Sequence, residues 1–322
     1  MIVSSTRARW VFALLAVLLP LSLLISLSVG SSGWIWPWSN DQTSTAILFE
    51  LRLPRAIAAL IVGSLLATAG CLMQVLLRNP LADPYILGLS GGASAFALAG
   101  MMLGWAWLPV PVSAFAGAML TTLVVFFLAR GEGAWTTTRI LLTGVVVASG
   151  WGALISLMLA TGDDASLRGM LFWLMGDISH ARSSVLWLIP LLLGLALIWL
   201  RSRSLNVLSA GALQAELLGE PSQKRFWEIF LAASLLTGIA VAMAGAIGFV
   251  GLIVPHLMRL LVGSDHRRLL PAAAAFGASF LLLADTLART LLSPRQLPVG
   301  VLTALIGVPL FLFLLRRARG IR

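Results

Sequence analysis

The stretch 208-LSAGALQAELLGEPSQKRF-226 decides how the rest of the chain is interpreted. It contains two glutamates, two glutamines and the only lysine of the chain, yet it lies between segments that are almost wholly apolar. Its apolar residues recur every three or four positions, which predicts an amphipathic helix broken by Gly219 and Pro221. The residues that form the apolar face are Leu208, Ala212, Ala215 and Leu218.

The composition on either side of this stretch is that of a membrane protein. Hydrophobic residues make up 59% of the 322 residues and charged residues only 11%, whereas soluble domains are about half apolar and about 25% charged. The apolar runs are continuous and about 17 to 25 residues long, as needed for a helix that crosses a bilayer. We therefore expect an all-α membrane protein.

The apolar runs between charged segments predict about ten transmembrane helices in one polytopic domain, residues 1–322. The run Val250–Val262 is short for a span, and we expect it to be shielded by protein, with Gly245, Gly248 and Gly251 at the turn before it. The predicted spans are Trp10–Val29, Ala56–Leu77, Leu87–Leu103, Val110–Ala129, Ile140–Ala160, Val185–Leu200, Ile229–Ala246, Val250–Val262, Leu269–Leu287 and Val299–Leu315.

The distribution of basic residues predicts the orientation of these spans. Arginine and lysine are concentrated in alternate connecting segments, and the positive-inside rule places such segments in the cytoplasm. Both termini and residues 205–226 are then cytoplasmic. The arginines are scattered at span ends instead of forming one basic face, so the net charge of +10 does not indicate nucleic-acid binding.

Several chemical functions are disfavoured by what the sequence contains. The only lysine, Lys224, does not follow a glycine-rich turn, so no P-loop is present and we expect no enzymatic activity. The histidines lack metal-ligand spacing, and the single cysteine, Cys71, lies in an apolar run, so neither a metal nor another cofactor is expected. Asp285 is the one acid within a span, and Arg289 one turn later predicts an intrahelical ion pair.

Glycine and alanine recur at spacings typical of close helix packing in membranes. Gly63 precedes Ala67 and Gly70, and Gly144 precedes Gly152 in another predicted span. We expect these residues to lie where helices approach each other closely.

Several motifs together resemble the permease subunits of ABC importers for ferric siderophores, haem and cobalamin. The similarity extends over nearly the whole chain and is specific for the family but not for the cargo. The motifs are 51-LRLPRAIAALIVGSLLATAGCLMQ-74, 79-NPLADPYILGLSGGA-93, 244-AGAIGFVGLIVPHLMRL-260 and 297-LPVGVLTALIGVPLFLFLLRR-317.

The resemblance implies a type II importer permease fold in the bacterial inner membrane, embedded in lipid. It implies three protein partners: a cytoplasmic ABC ATPase dimer, a periplasmic substrate-binding protein, and a second permease subunit, identical or homologous. Residues 205–226 correspond to the coupling helices. The residues that fit the ATPase groove are Ala215, Glu216, Leu217, Leu218 and Gly219.

Two further sets of residues follow from the same resemblance. Arg52, Arg55 and Arg289 match the arginines that meet acidic residues of the binding protein. The cytoplasmic gate corresponds to Asn79, Leu81, Thr136 and Thr137, although the family has serine near the two threonines, so that part of the assignment is looser.

The leading hypothesis is thus a permease that passes an iron chelate or cobalamin from a binding protein to the cytoplasm at the expense of ATP, with a ferric siderophore favoured. The alternative is an ion-coupled secondary transporter that works without an ATPase. It requires an intramembrane acid such as Asp285 and gives the polar helix no role.

Overall fold

The computed structural model describes residues 5–31, 33–36, 41–104, 107–130, 136–179, 181 and 185–319. The described part is almost entirely helical, apart from a two-stranded antiparallel hairpin of β1 (Val29–Gly30) and β2 (Gly33–Trp34). The helices are α1 Ser5–Ser28, α2 Gln42–Ala46, α3 Leu53–Leu76, α4 Leu89–Met102, α5 Val110–Ala129, α6 Thr137–Thr161, α7 Asp164–Leu174, α8 Leu188–Leu200, α9 Ser202–Ala210, α10 Ala212–Leu217, α11 Ser222–Ala244, α12 Val250–Val262, α13 His266–Thr290 and α14 Val299–Arg319.

The predicted apolar runs all appear as helices. Within the described residues, six helical segments are long and apolar enough to cross a membrane, and the bent pair Val185–Leu200 and Ser202–Ala210 makes a seventh candidate. Shorter apolar helices cover Leu89–Met102, Val250–Val262 and Val299–Leu314. The all-α membrane architecture expected from the sequence is therefore confirmed.

Helix α3 is the centre of the bundle. Every residue from Arg55 to Leu76 is buried except Leu60, and α11, α12 and α13 pack directly against it. A second, smaller core joins α4, α5 and α11 through alanines that allow close contact. Nonpolar side chains on the outside of the bundle remain exposed, as expected for surfaces that face lipid or another subunit.

Close packing between glycines brings α3 against two partners. A Cβ placed on Gly63 would lie 2.2 Å from the carbonyl oxygen of Gly277, and one on Gly70 would lie 1.8 Å from that of Gly251. These glycines therefore pack as predicted. Gly152 does not, because a Cβ there would meet nothing within 4 Å.

The turn before α12 differs in one detail from the sequence prediction. Gly245 caps α11 with a φ of +67°, and Phe249 begins α12 with a φ of +69°. Gly251 is not part of this turn but lies in α12, where it contacts α3 and Pro84. Its lack of a side chain serves helix packing rather than the reversal of the chain.

The two ends of the bundle are chemically different. At one end, which we call the polar end, α9 meets the start of α13, and Asn206 Nδ2 donates to Asp265 Oδ1 at 2.7 Å. Helix α10 packs against α9 and α11 at the same end. At the other, which we call the arginine end, the last residues of α1 and α13 meet the first residues of α3. Because α1 begins and α14 ends away from the arginine end, both termini of the described chain lie toward the polar end.

Candidate functional sites at the two ends of the bundle

The predicted amphipathic helix at the polar end is two helices instead of one. Gly211, with a φ of +135°, separates α9 from α10. Such a φ is open to glycine but strained for other residues, and it interrupts the helix at this position. In α10, Ala215 is fully buried, whereas Leu217 at its end is 79% exposed and Leu218, its C-cap, is 71% exposed. Of the predicted coupling residues, Leu217 and Leu218 are therefore accessible to a partner, whereas the side chain of Ala215 is not.

The exposed leucines are presented by a rigid turn. The N–H of Gly219 donates to the carbonyl of Glu216 at 2.9 Å, and the N–H of Glu220 donates to that of Ala215 at 2.9 Å. This pair of bonds, with Gly219 at a φ of +78°, is a Schellman motif. The Ser222 hydroxyl also bonds to the Glu216 carboxylate, which ties α10 to the start of α11.

The predicted gate residues lie in two segments next to this turn. Asn79 is exposed, and its Oδ1 accepts from the N–H of Leu81 at 2.9 Å, which fixes a tight turn after α3. Thr136 caps α6, its hydroxyl oxygen accepting from the N–H of Arg139 at 3.3 Å. Thr137, the first residue of α6, is half-buried.

A small cleft connects the gate segments to the coupling segment. It has a volume of about 70 Å³. Arg78, which precedes Asn79, and Thr137 border it on one side, and Leu208, Ala212 and Ser222 border it on the other. The structure thus brings one residue of the predicted gate and the predicted coupling segment into one site.

The segment after Asn79 is fixed between α6 and α12. The Tyr85 hydroxyl donates to the carbonyl of Ile247 at 3.2 Å and accepts from its N–H at 3.1 Å. Asp83 Oδ1 accepts from the N–H of Tyr85 at 2.8 Å, while burial raises the pKa of Asp83 to about 6. The sequence placed Asp83 in a loop and gave no signal of this packing.

At the arginine end, Arg52 closes the hairpin onto the bundle. Its guanidinium donates to the carbonyls of Leu27 at 2.9 Å, Ser28 at 2.6 Å and Gly33 at 2.9 Å. Gly30 allows this approach, since a Cβ there would lie 3.0 Å from Nη2 of Arg52.

Asp285 is the centre of a buried ion cluster. Its carboxylate is fully buried and accepts from Arg55 Nε at 3.0 Å and Nη2 at 2.9 Å, while Arg289 Nε lies 3.2 Å from Oδ2. The predicted Asp285–Arg289 pair is confirmed, but the contact with Arg55, 230 positions away, was missed. Arg55 also donates to Gln296 Oε1 at 2.8 Å.

All three predicted docking arginines are consequently buried. Arg52, Arg55 and Arg289 are only 3%, 9% and 4% exposed. In this structure they hold α1, α3, α13 and the hairpin together, and their contact with a binding protein stays a prediction.

No metal-binding cluster of three or more histidine, cysteine or acidic side chains occurs in the part of the chain that the structure describes.

A polytopic bundle of apolar helices with an exposed turn at one end is the arrangement of a membrane permease subunit. The chain belongs to the FecCD transport family, whose model matches residues 14–317.

Its relatives are permeases of the same kind. The chain is 46% identical over 293 residues to the uncharacterised ABC transporter permease protein YvrB of Bacillus subtilis (strain 168), covering 88% of this chain and 82% of YvrB. It is 40% identical over 319 residues to the vitamin B12 import system permease protein BtuC of Escherichia coli O17:K52:H18, covering 96% and 95% of the two chains.

Solved structures agree with this assignment. A metal-chelate type ABC transporter in an inward-facing conformation matches with a TM-score of 0.86 at 33% identity, over 96% of this chain and 99% of that one. The fold is also similar to a chain of PsaBC from Streptococcus pneumoniae, with a TM-score of 0.58 at 17% identity, over 84% and 93%. The chain is thus a permease of the ABC importer type with the type II importer fold, as predicted.

Proposed function

We propose that this permease moves an iron chelate or cobalamin across the bacterial inner membrane, from a periplasmic binding protein to the cytoplasm. A separate ABC ATPase dimer drives the transport, and the permease itself is not an enzyme. A second permease subunit, identical or homologous, completes the path. The vitamin B12 permeases among its relatives make cobalamin the first cargo to test, before a ferric siderophore or haem.

The observation that carries this proposal is the exposed turn at the polar end. Leucines that are more than two-thirds exposed are costly in water and suit the groove of a partner protein. The Schellman motif fixes their position, so that little conformational entropy is lost on docking. The adjoining cleft then allows a movement of α10 to reach Thr137 and the segment after α3.

The alternative, an ion-coupled transporter, depends on an acid that can exchange protons within the membrane. Asp285 is unsuited to that role, because its carboxylate is fully buried and the guanidinium groups of Arg55 and Arg289 occupy it. The structure therefore offers no support for coupling through Asp285.

Co-purification of the permease with its ATPase tests the docking role of the turn. Leu217→Asp places a charge in the docking surface, and we expect it to abolish association while membrane insertion is retained. Gly219→Pro should act similarly, since proline cannot adopt a φ of +78° or donate the N–H bond to Glu216.

A matched control places the same charge nearby but outside the turn. Ser264 is exposed at the same end, just before α13 and outside residues 205–226, so Ser264→Asp should leave association unchanged. Normal association of Leu217→Asp and Gly219→Pro would remove the coupling role of the turn, whereas equal loss in all three variants would indicate a general effect of altering this end.

A further inference from the structure

A long apolar groove opens on the side of the bundle between α1, α3, α8 and α13. It has a volume of about 570 Å³, within the range of ligand pockets, about 300 to 1,000 Å³. Its wall is formed by aliphatic side chains and by Trp199, with representative positions Leu60, Leu191, Leu195, Pro271 and Ala275. From Thr68 to Leu60 the groove follows about 12 Å of α3, at 1.5 Å per residue.

One polar group in the groove has no partner. Ser64 and Thr68 both line it, and Ser64 Oγ donates to the carbonyl of Ala274 at 3.2 Å. The hydroxyl of Thr68, which is 1% exposed, has no hydrogen-bond partner among the residues that the structure describes. A buried hydroxyl without a partner is costly, so an acceptor on a bound molecule would satisfy it.

At the polar end, the groove ends next to two chain segments that contain arginines. Trp199 Nε1 donates to the carbonyl of Arg267 at 2.9 Å, which fixes the end of α8 against the start of α13. Arg268 is the next residue. Arg201 lies two residues after Trp199, and Arg203 lies three residues before Asn206, whose side chain bonds to Asp265 and to the N–H of His266. None of the four forms a salt bridge with an acid within the described ranges.

The acid nearest to these arginines is already engaged. Asp265 Oδ1 accepts from Asn206 Nδ2 at 2.7 Å and from the N–H of Arg267 at 3.1 Å, and in this way caps α13. With four arginines and one acid in residues 201–206 and 265–268, this end of the groove carries an excess of positive charge.

The unpaired hydroxyl and the arginines are spaced along one line. Helices α3 and α13 run antiparallel, with Ser64 opposite Ala274, so Thr68 lies level with Leu270. Leu270 is about one helical turn, or about 5 Å, from Arg267. That interval matches the separation of the phosphate and the ester groups in a phospholipid.

We propose that this groove binds one anionic phospholipid of the cytoplasmic leaflet. The arginines hold its phosphate, the Thr68 hydroxyl donates to an ester oxygen, and one acyl chain lies along the apolar wall toward Leu60. Anionic headgroups are attracted to basic sites between helices on the cytoplasmic side. The lipid thereby joins α8 and α9, which lead into the exposed turn, to α13.

Native mass spectrometry of the purified full-length chain tests this site. The protein is incubated with an equal mixture of phosphatidylglycerol and phosphatidylcholine that have identical acyl chains. We expect the wild type to retain one phosphatidylglycerol in preference. Arg201→Gln/Arg267→Gln should lower that preference about thirtyfold, since each arginine near an anionic headgroup contributes about fivefold.

Two further variants separate the headgroup site from the groove. Arg139→Gln/Arg316→Gln removes two exposed arginines elsewhere and should retain the lipid as the wild type does. Ala196 lines the groove and is exposed, so Ala196→Trp should fill the groove without disturbing the core and reduce lipid retention although all arginines remain.

Four results would overturn the proposal: equal retention of both lipids by the wild type, an equal loss in both double arginine variants, unchanged retention by Ala196→Trp, or complete displacement of the lipid by soluble glycerol phosphate. The last result would show a site for phosphate alone.

Discussion

Asp285 shows how one residue can determine the structure of a whole end of the molecule. Its carboxylate is shared between Arg55 of α3 and Arg289 of α13, while Arg289 Nη2 also donates to the carbonyl and hydroxyl of Ser26 at the end of α1, both at 3.1 Å. Three helices that are distant in sequence are thus joined through one acid. Such a group is difficult to replace, because its loss leaves two buried cations without a counter-charge.

We expect Asp285→Asn to lower the free energy of unfolding by about 3–5 kcal/mol, the usual effect of removing one partner of a buried pair. Thermal unfolding of the purified protein measures this effect. Asp163→Asn, at an exposed position, is the control and should leave the melting temperature unchanged. A melting temperature for Asp285→Asn within a degree of the wild type would show that the cluster contributes little to stability.

Asp83 gives a pH-dependent prediction. Its pKa is raised from 3.8 to about 6 by burial, so between pH 4 and 6 the folded protein binds more protons than the unfolded chain. Stability must then fall as pH rises through this window. In Asp83→Asn, which keeps an acceptor for the N–H of Tyr85, we expect melting temperatures at pH 4.5 and 7 to differ less than in the wild type. An equal difference in both proteins would contradict the assignment.

At the scale of helices, packing is decided by where a Cβ can be accommodated. Gly70 of α3 and Gly152 of α6 are both helical glycines in apolar runs, and the sequence alone does not distinguish them. The structure does, because Gly70 touches the backbone of α12 whereas Gly152 faces open space. The same substitution at the two sites should therefore have opposite effects.

We expect Gly70→Ala to destabilise the protein by about 1–3 kcal/mol, since the added methyl must push α3 and α12 apart. Gly152→Ala should be neutral or stabilising by up to about 1 kcal/mol, the difference in helix propensity between glycine and alanine. Melting temperatures of the two variants provide the comparison. Destabilisation of similar size in both would mean that intrinsic flexibility, not helix contact, is the reason for these glycines.

The elements that the sequence predicts well are those set by local pattern. Apolar length gave the helices, and the i,i+4 spacing gave the Asp285–Arg289 pair. The contact of Arg55 with Asp285 is long-range, and a single sequence carries no signal for it. The arginines were placed at a surface because charges near span ends usually reach water, whereas here buried carbonyls and a carboxylate replace that water.

The prediction of a single amphipathic helix was wrong for a different reason. Its three- and four-residue spacing continues across Gly211, so periodicity alone gave one helix. The backbone there adopts a φ of +135° and begins a second helix. The glycine in "SAGAL" was the available signal, since glycine often marks a helix end.

At the scale of the whole molecule, the two ends of the bundle differ in the side chains that they bury and expose. The arginine end is closed by charged contacts between helices, while the polar end presents exposed leucines and a cleft beside the predicted gate. We expect uptake of labelled cobalamin or ferric siderophore into vesicles to require the ATPase, the binding protein and internal ATP together. Replacing the ATPase with a catalytically inactive form should abolish uptake.

Collapse of the proton gradient with an uncoupler, with internal ATP kept constant, is the control for this experiment and should leave uptake unchanged. Uptake that continues without any ATPase and stops on addition of the uncoupler would reject the proposed mechanism.

Helix α6 is anchored unevenly, and this has a mechanical consequence. Its buried residues, Ile140 and Gly144, lie near its start, whereas every residue from Gly152 to Thr161 is exposed or half-buried. The anchored start borders the cleft shared with the coupling segment. At 1.5 Å per residue the helix is about 37 Å long, and α4 packs against its middle, where the rings of Phe96 and Trp151 lie 6.1 Å apart. A tilt of the whole helix by about 10° about its start would displace the far end by about 6 Å and would move this contact with it.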